Sequence, residues 1–104
     1  MRAGMRHDAI AVEQALAAAM GDDRALVAEL RAAFTESAVR HAMMLAGAAS
    51  RAEWREAAWR LKGCAASFGA EALMAAADAA AAGPVRSAAA LNAVAAALDE
   101  LAAA

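Results

Sequence analysis

Few side chains in this 104-residue chain can do chemistry. It holds two histidines, His7 and His41, one cysteine, Cys64, and one lysine, Lys62. None of these is spaced as a nucleophile–base pair, and two isolated histidines with one cysteine are poor material for a zinc site. Gly63 and Gly69 do not make a phosphate-cradling loop. The inventory argues against an ordinary enzyme, and no cofactor or metal is expected. What it does contain is a tryptophan in an unusual setting. Read as a helix, residues 54–68 place Trp54, Ala57, Ala58, Leu61, Cys64, Ala65 and Phe68 on one apolar side, at the 3.6-residue period of a buried stripe. Trp59 falls near the centre of the opposite side, together with Ala52, Glu56, Gly63, Ala66 and Ala70. A large aromatic is thus aimed at solvent and ringed mostly by small residues. Lys62 lies one turn further on, at the edge of that face, and Arg55 and Arg51 add positive charge on the same flank. Glycine inside a helix costs roughly 0.5–1 kcal/mol relative to alanine. Fold stability therefore does not explain Gly63, whereas close approach of another molecule does.

The stretch Arg60-Leu61-Lys62-Gly63-Cys64-Ala65-Ala66-Ser67-Phe68-Gly69-Ala70 resembles the signature of histidine-containing phosphotransfer (HPt) domains, which reads His-x-Leu-Lys-Gly, then small residues, then Gly-Ala. The resemblance extends loosely from about Gly21 onward. One departure outweighs the agreements: Trp59 stands where the family has its phosphorylated histidine. Neutral imidazole offers a free nitrogen lone pair, whereas the indole nitrogen is a donor only. Trp59 therefore cannot form a phosphoramidate. By the same resemblance, Lys62 would offset phosphate charge and Gly63 would let a receiver domain approach.

Composition bounds the rest. Hydrophobic residues make up 63% of the chain and aromatics only 4%, because alanine dominates. Alanine has the best intrinsic helix propensity, so thin, closely packed helices are expected in one domain. The large side chains expected to carry the core are Leu26, Leu30, Phe34, Leu45, Trp54, Leu61, Phe68, Leu73, Leu91 and Leu98. A formal net charge of −2 argues against a nucleic-acid footprint. The single cysteine fits a reducing compartment, and Cys64 reads as core. No stretch reads as a membrane span or a signal peptide, so a cytoplasmic location is expected.

The elements that must position this face can be taken in order. Residues 1–7 read as a flexible tail with a solvated His7, and residues 8–104 as a single domain. Residues 8–20 form a short helix with Asp8 as N-cap, closed by Gly21. Asp22 and Asp23 open a second helix whose inner stripe is Leu26, Leu30, Ala33, Phe34, Ser37, His41, Met44, Leu45 and Ala48. His41, within that stripe, is expected to be a core or boundary histidine with a hydrogen-bond partner. Residues 47–50 form a turn, and Ser50-x-x-Glu53 has capping-box spacing for the third helix. A fourth helix follows over about 70–82. Gly83-Pro84 then breaks the chain, with Pro84 in the first turn of a last helix over about 85–101. Short connections between long helices favour an all-α antiparallel four-helix bundle with a short extra N-terminal helix. HPt domains share that fold.

The expected function is an HPt-like module of two-component phosphorelay signalling that has lost its phosphoacceptor. It would bind a receiver domain of a response regulator or hybrid kinase as a non-transferring regulator or scaffold. The partner-binding residues are Trp59, Lys62, Gly63, Arg55, Ala66 and Glu56, with no catalytic residue. Two alternatives stand beside it. One is active phosphotransfer through another residue, His7 or His41. The other is a self-associating structural module, a homodimer joined through Trp59.

Overall fold

Alanine-rich segments separated by Gly21, Gly47, Gly69 and Gly83-Pro84 dictate helices with short breaks. The computed structural model describes the backbone of residues 3–103 and the side chains of residues 8–102. Five helices account for nearly all of it: α1 (Ala3–Met20), α2 (Arg24–Ala46), α3 (Arg51–Ser67), α4 (Glu71–Ala82) and α5 (Ala88–Ala103). No strand occurs among the described residues. No helix among them is long and apolar enough to cross a membrane.

Both α2 and α3 start at the expected residues, each with a side-chain cap. Asp23 caps α2 by accepting the Leu26 N–H at 3.0 Å. Ser50 caps α3 by accepting the Glu53 N–H at 3.1 Å, and Glu53 reaches back to the N–H of Ala49, not that of Ser50, at 2.9 Å. Gly21 and Gly69 adopt φ of +70° and +73°, a region open to glycine at no steric cost. The last break differs from expectation. Pro84 lies in the connecting turn, where its carbonyl accepts the Ser87 N–H at 3.3 Å, and α5 starts later, capped by the Ser87 hydroxyl on the Ala90 N–H at 3.2 Å.

The core runs through all five helices and is built from single large residues set among alanines. Trp54, Leu45, Leu61, Leu73, Leu101, Val12 and Val94 are essentially inaccessible. The closest seam joins α3 to α4, where Ala57, Ala58, Ala65, Ala77 and Ala80 are buried. At one end of that seam the Trp54 indole N–H donates to the Ala80 carbonyl at 2.7 Å. At the C-terminal end of α3, the Phe68 ring meets Phe34 of α2 with centroids 4.5 Å apart. Three residues of the expected α2 stripe are corrected: Leu26, Ala33 and Met44 are exposed, and Val27 takes the buried position in the first turn of α2. Leu30, Phe68 and Leu91 are only partly buried.

The N-terminal helix departs most from the sequence reading. It begins at Ala3, not at Asp8, so the expected tail is helical from that residue on. Met1, Arg2 and the side chain of His7 lie outside the described residues. Asp8 is not an N-cap of α1. It sits inside the helix, 1% exposed, and its two carboxylate oxygens accept the N–H groups of Ala72 and Leu73 at 2.9 and 3.0 Å. These are unpaired donors of the first turn of α4, whose own N-cap, Ala70, has no side-chain oxygen to offer. A buried carboxylate is costly without such partners, and the positive end of the α4 dipole favours it further.

Asp8 thus caps α4 from another helix, and its loss should be felt in both. Replacing it by alanine is expected to destabilise the fold by about 2 kcal/mol, from the lost cap and two charge-assisted hydrogen bonds. Asn, which keeps one acceptor oxygen, should lose less. Urea unfolding of the two variants against the parent chain checks the order.

Candidate functional site

The site is built on α3 and owes its orientation to the α3–α4 seam. Trp54 is fully buried, and successive residues turn by about 100°, so the residue five positions on points away from the core. Trp59 is accordingly 55% exposed. Ala52, Arg55, Glu56, Gly63 and Ala66 are exposed on the same helix. Ala70, expected beside them, is not part of this face: it is fully buried. The helix has ended before it, because Gly69 turns the chain. The Ala70 and Gly69 N–H groups then return to the carbonyls of Ala65 and Ala66 at 3.0 and 3.2 Å, a Schellman closure.

The charges around the indole are mostly paired. The Arg55 guanidinium carbon lies 5.0 Å from the centroid of the Trp59 ring, a cation–π contact one turn apart on the helix. Arg60 and Glu56 form an ion pair at 2.9 Å. Arg51 reaches across to the Gly83 carbonyl at 3.4 Å. Lys62 turns toward α4, where its ammonium is 2.9 Å from a carboxylate oxygen of Asp78. Asp78 was not anticipated from the sequence. Its relation to Lys62 exists only because α4 packs on α3, and no local spacing signals it.

Gly63 has open space around it: a Cβ built there meets nothing within 4 Å outside the helix's own turns. No contact among the described residues therefore requires a glycine at this position. Together, Trp59, Arg55, Glu56, Gly63 and Ala66 form an outward face with an aromatic centre, and Lys62 borders it. The face offers contact area, one guanidinium and donor groups. It offers no nucleophile, since the indole nitrogen has no free lone pair.

His41 and Cys64 lie on the flank where α2 meets α3. The Cys64 thiol is free and partly buried, 3.9 Å from the Ser37 hydroxyl. The Nδ1 atom of His41 is buried and finds no hydrogen-bond partner among the described residues, which corrects the expectation of a partnered histidine. Burial holds its pKa below the usual imidazole value, and repulsion from Arg40 and Arg60 adds to the shift. Elsewhere, α1, α2 and the end of α5 enclose an open groove of about 1120 Å³, lined by Glu13, Val27, Arg31, Thr35, Val39 and Leu101 among others. Within it Arg31 is already held by the Leu101 carbonyl at 3.0 Å and by Glu13 at 3.4 Å. The groove includes no residue of α3 and lies apart from the Trp59 face.

No family model matches the chain, and neither a curated protein nor a solved structure matches it.

His41 gives the fold a defined pH dependence. The unfolded chain binds its proton more readily than the folded one, so this contribution to stability is complete above the unfolded value of about 6.5 and is lost as pH falls below it. Urea midpoints measured between pH 7.5 and 5.5, above the main carboxylate range, should fall for the parent chain and fall less for His41→Gln.

Proposed function

We propose that this chain is an HPt-like docking module that has lost its phosphoacceptor and binds a receiver domain as a non-transferring regulator or scaffold, in the cytoplasm. In this reading the fold is an antiparallel four-helix bundle of α2 to α5 with α1 added. Support for that arrangement comes from paired contacts. Phe34 meets Phe68 and Ser37 meets Cys64, so α2 rises in number as α3 falls. Trp54 with Ala80 and Arg51 with Gly83 relate α3 to α4 in the same way.

The single observation that carries the reading is the outward indole of Trp59, at the position the signature reserves for histidine and beside the open Gly63. A receiver's active site is rich in carboxylates, and the arginines on this flank complement them. Tryptophan is among the residues most often found as interface hot spots. Phosphate transfer through Trp59 is ruled out by the electronics of indole. The Trp59 face would equally suit a second copy of the chain, which concentration-dependent sedimentation distinguishes.

Titration of purified receiver domains against the chain tests this directly. Trp59→Ala is expected to weaken binding by about thirtyfold, the equivalent of a 2 kcal/mol hot spot. Equal affinity of parent and variant, or no binding by any receiver, would sink the reading. With a phosphorylated receiver as donor, Trp59→His should gain acid-labile phosphate while the parent chain takes up none.

Gly63 separates docking from folding. Gly63→Ala should raise stability by about 0.5–1 kcal/mol, since the helix gains and nothing clashes. The same substitution should weaken receiver binding. A gain in urea midpoint with unchanged affinity would show that no partner approaches the helix here.

A further inference from the structure

By sequence alone, Lys62, Arg55 and Arg51 are interchangeable sources of positive charge beside Trp59. The structure makes them different. Lys62 is bound to Asp78 at 2.9 Å, so the two together present no net charge. Arg60 is neutralised by Glu56 in the same way. Arg51 is turned to the Gly83 carbonyl. Arg55 alone of these makes no hydrogen bond or ion pair with a described residue, and it is the one placed over the indole ring, at 5.0 Å. No described residue takes its N–H donors, and a guanidinium's N–H edges match a carboxylate in bidentate geometry.

We propose that Arg55, carried on the Trp59 ring, is the group of this face that receives an anion, and that Asp78 withholds Lys62 from that role. The anion is a carboxylate cluster on a protein partner. This deepens the docking reading and rests on it for the partner's identity. The electrostatic part stands by itself: a receptive guanidinium next to the indole, and a lysine whose charge is cancelled across the α3–α4 seam. In the family signature the lysine is the phosphate-facing cation. Here the ammonium is engaged, and a guanidinium one turn before the aromatic takes over.

The experiment needs no partner. Trp54 is fully buried and Trp59 is half exposed, so collisional quenching of the intact chain reports on Trp59. Iodide and caesium, used at matched ionic strength, sample the local potential with opposite signs. Removing one charge about 5 Å from the ring should change the iodide-to-caesium quenching ratio about twofold at moderate salt. The expected results are a ratio lowered about twofold by Arg55→Ala, unchanged by the double variant Lys62→Ala/Asp78→Ala, and raised by Asp78→Ala alone. All of these positions are surface sites, and circular dichroism confirms that each variant folds. An unchanged ratio in Arg55→Ala, or a double variant that falls as far as Arg55→Ala does, would overturn the proposal. So would Asp78→Ala without a rise.

A receiver domain that binds the parent chain then separates the two levels. Arg55→Ala should weaken its binding at least fivefold more than the Lys62/Asp78 double variant does. If Trp59→Ala binds that receiver normally, the docking reading fails while the quenching result stands. If Trp59→Ala weakens binding but Arg55→Ala does not, the assignment of Arg55 fails and the docking reading survives.

Discussion

The seam between α3 and α4 sets the orientation of everything that could meet a partner. Buried alanines occur on both helices, and Trp54 is fully buried with its indole N–H satisfied by the Ala80 carbonyl. A tryptophan buried without that acceptor would carry an unpaired donor, at a cost of about 1–3 kcal/mol. With it, the ring anchors α3 in one rotation about its axis. That rotation leaves Trp59 no room inside. One buried tryptophan thereby expels the other, and the exposed face follows from the core.

The same seam redistributes charge. Lys62 and Asp78 belong to different helices and meet only because those helices are packed. An exposed ion pair of this kind contributes little to stability, commonly under about 1 kcal/mol. Its consequence is electrostatic. It cancels a lysine that would otherwise border the aromatic, and it leaves Arg55, placed over the Trp59 ring, as the group with no partner among the described residues. A face that reads as broadly basic in sequence thus has its free charge concentrated at one guanidinium.

At the far end of α3, α1 is tied in by a buried acid. Asp8 supplies the α4 N-terminus with two acceptors that the local sequence lacks, since Ala70 precedes that helix. Capping is usually a matter of the residue next door. Here the cap comes from the N-terminal helix, so α1 is bound to the start of α4 through a specific polar contact, while Val12 and Leu16 join the common core. In proteins most helical stability comes from tertiary packing, and such contacts hold α1.

Much of this was legible in the residues. Alanine content and glycine punctuation gave five helices, and their spacing set Trp54, Leu61 and Ala65 inward and Trp59 outward. Ser50 and Asp23 announced two helix starts, because a cap is a local interaction between neighbours in the chain. The residues also set Arg55 on that flank as positive charge, whereas its contact with the Trp59 ring came from the structure. Other features were beyond local reading. The true start of α1, the burial of Asp8, the exposure of Leu26 in favour of Val27, and the turn that removes Ala70 from the outward face all depend on which neighbour each helix finds. Periodicity gives the faces of a helix but not their exact rotation, and in an alanine-rich stripe a shift of one residue costs little apolar area. The sequence by itself determined the helices and the outward aromatic, since both follow from propensity and period. Only the tertiary structure decided that Lys62 is paired and which acid is buried, because those are set by pairs of residues that the chain keeps 16 to 65 positions apart and packing brings within 3 Å.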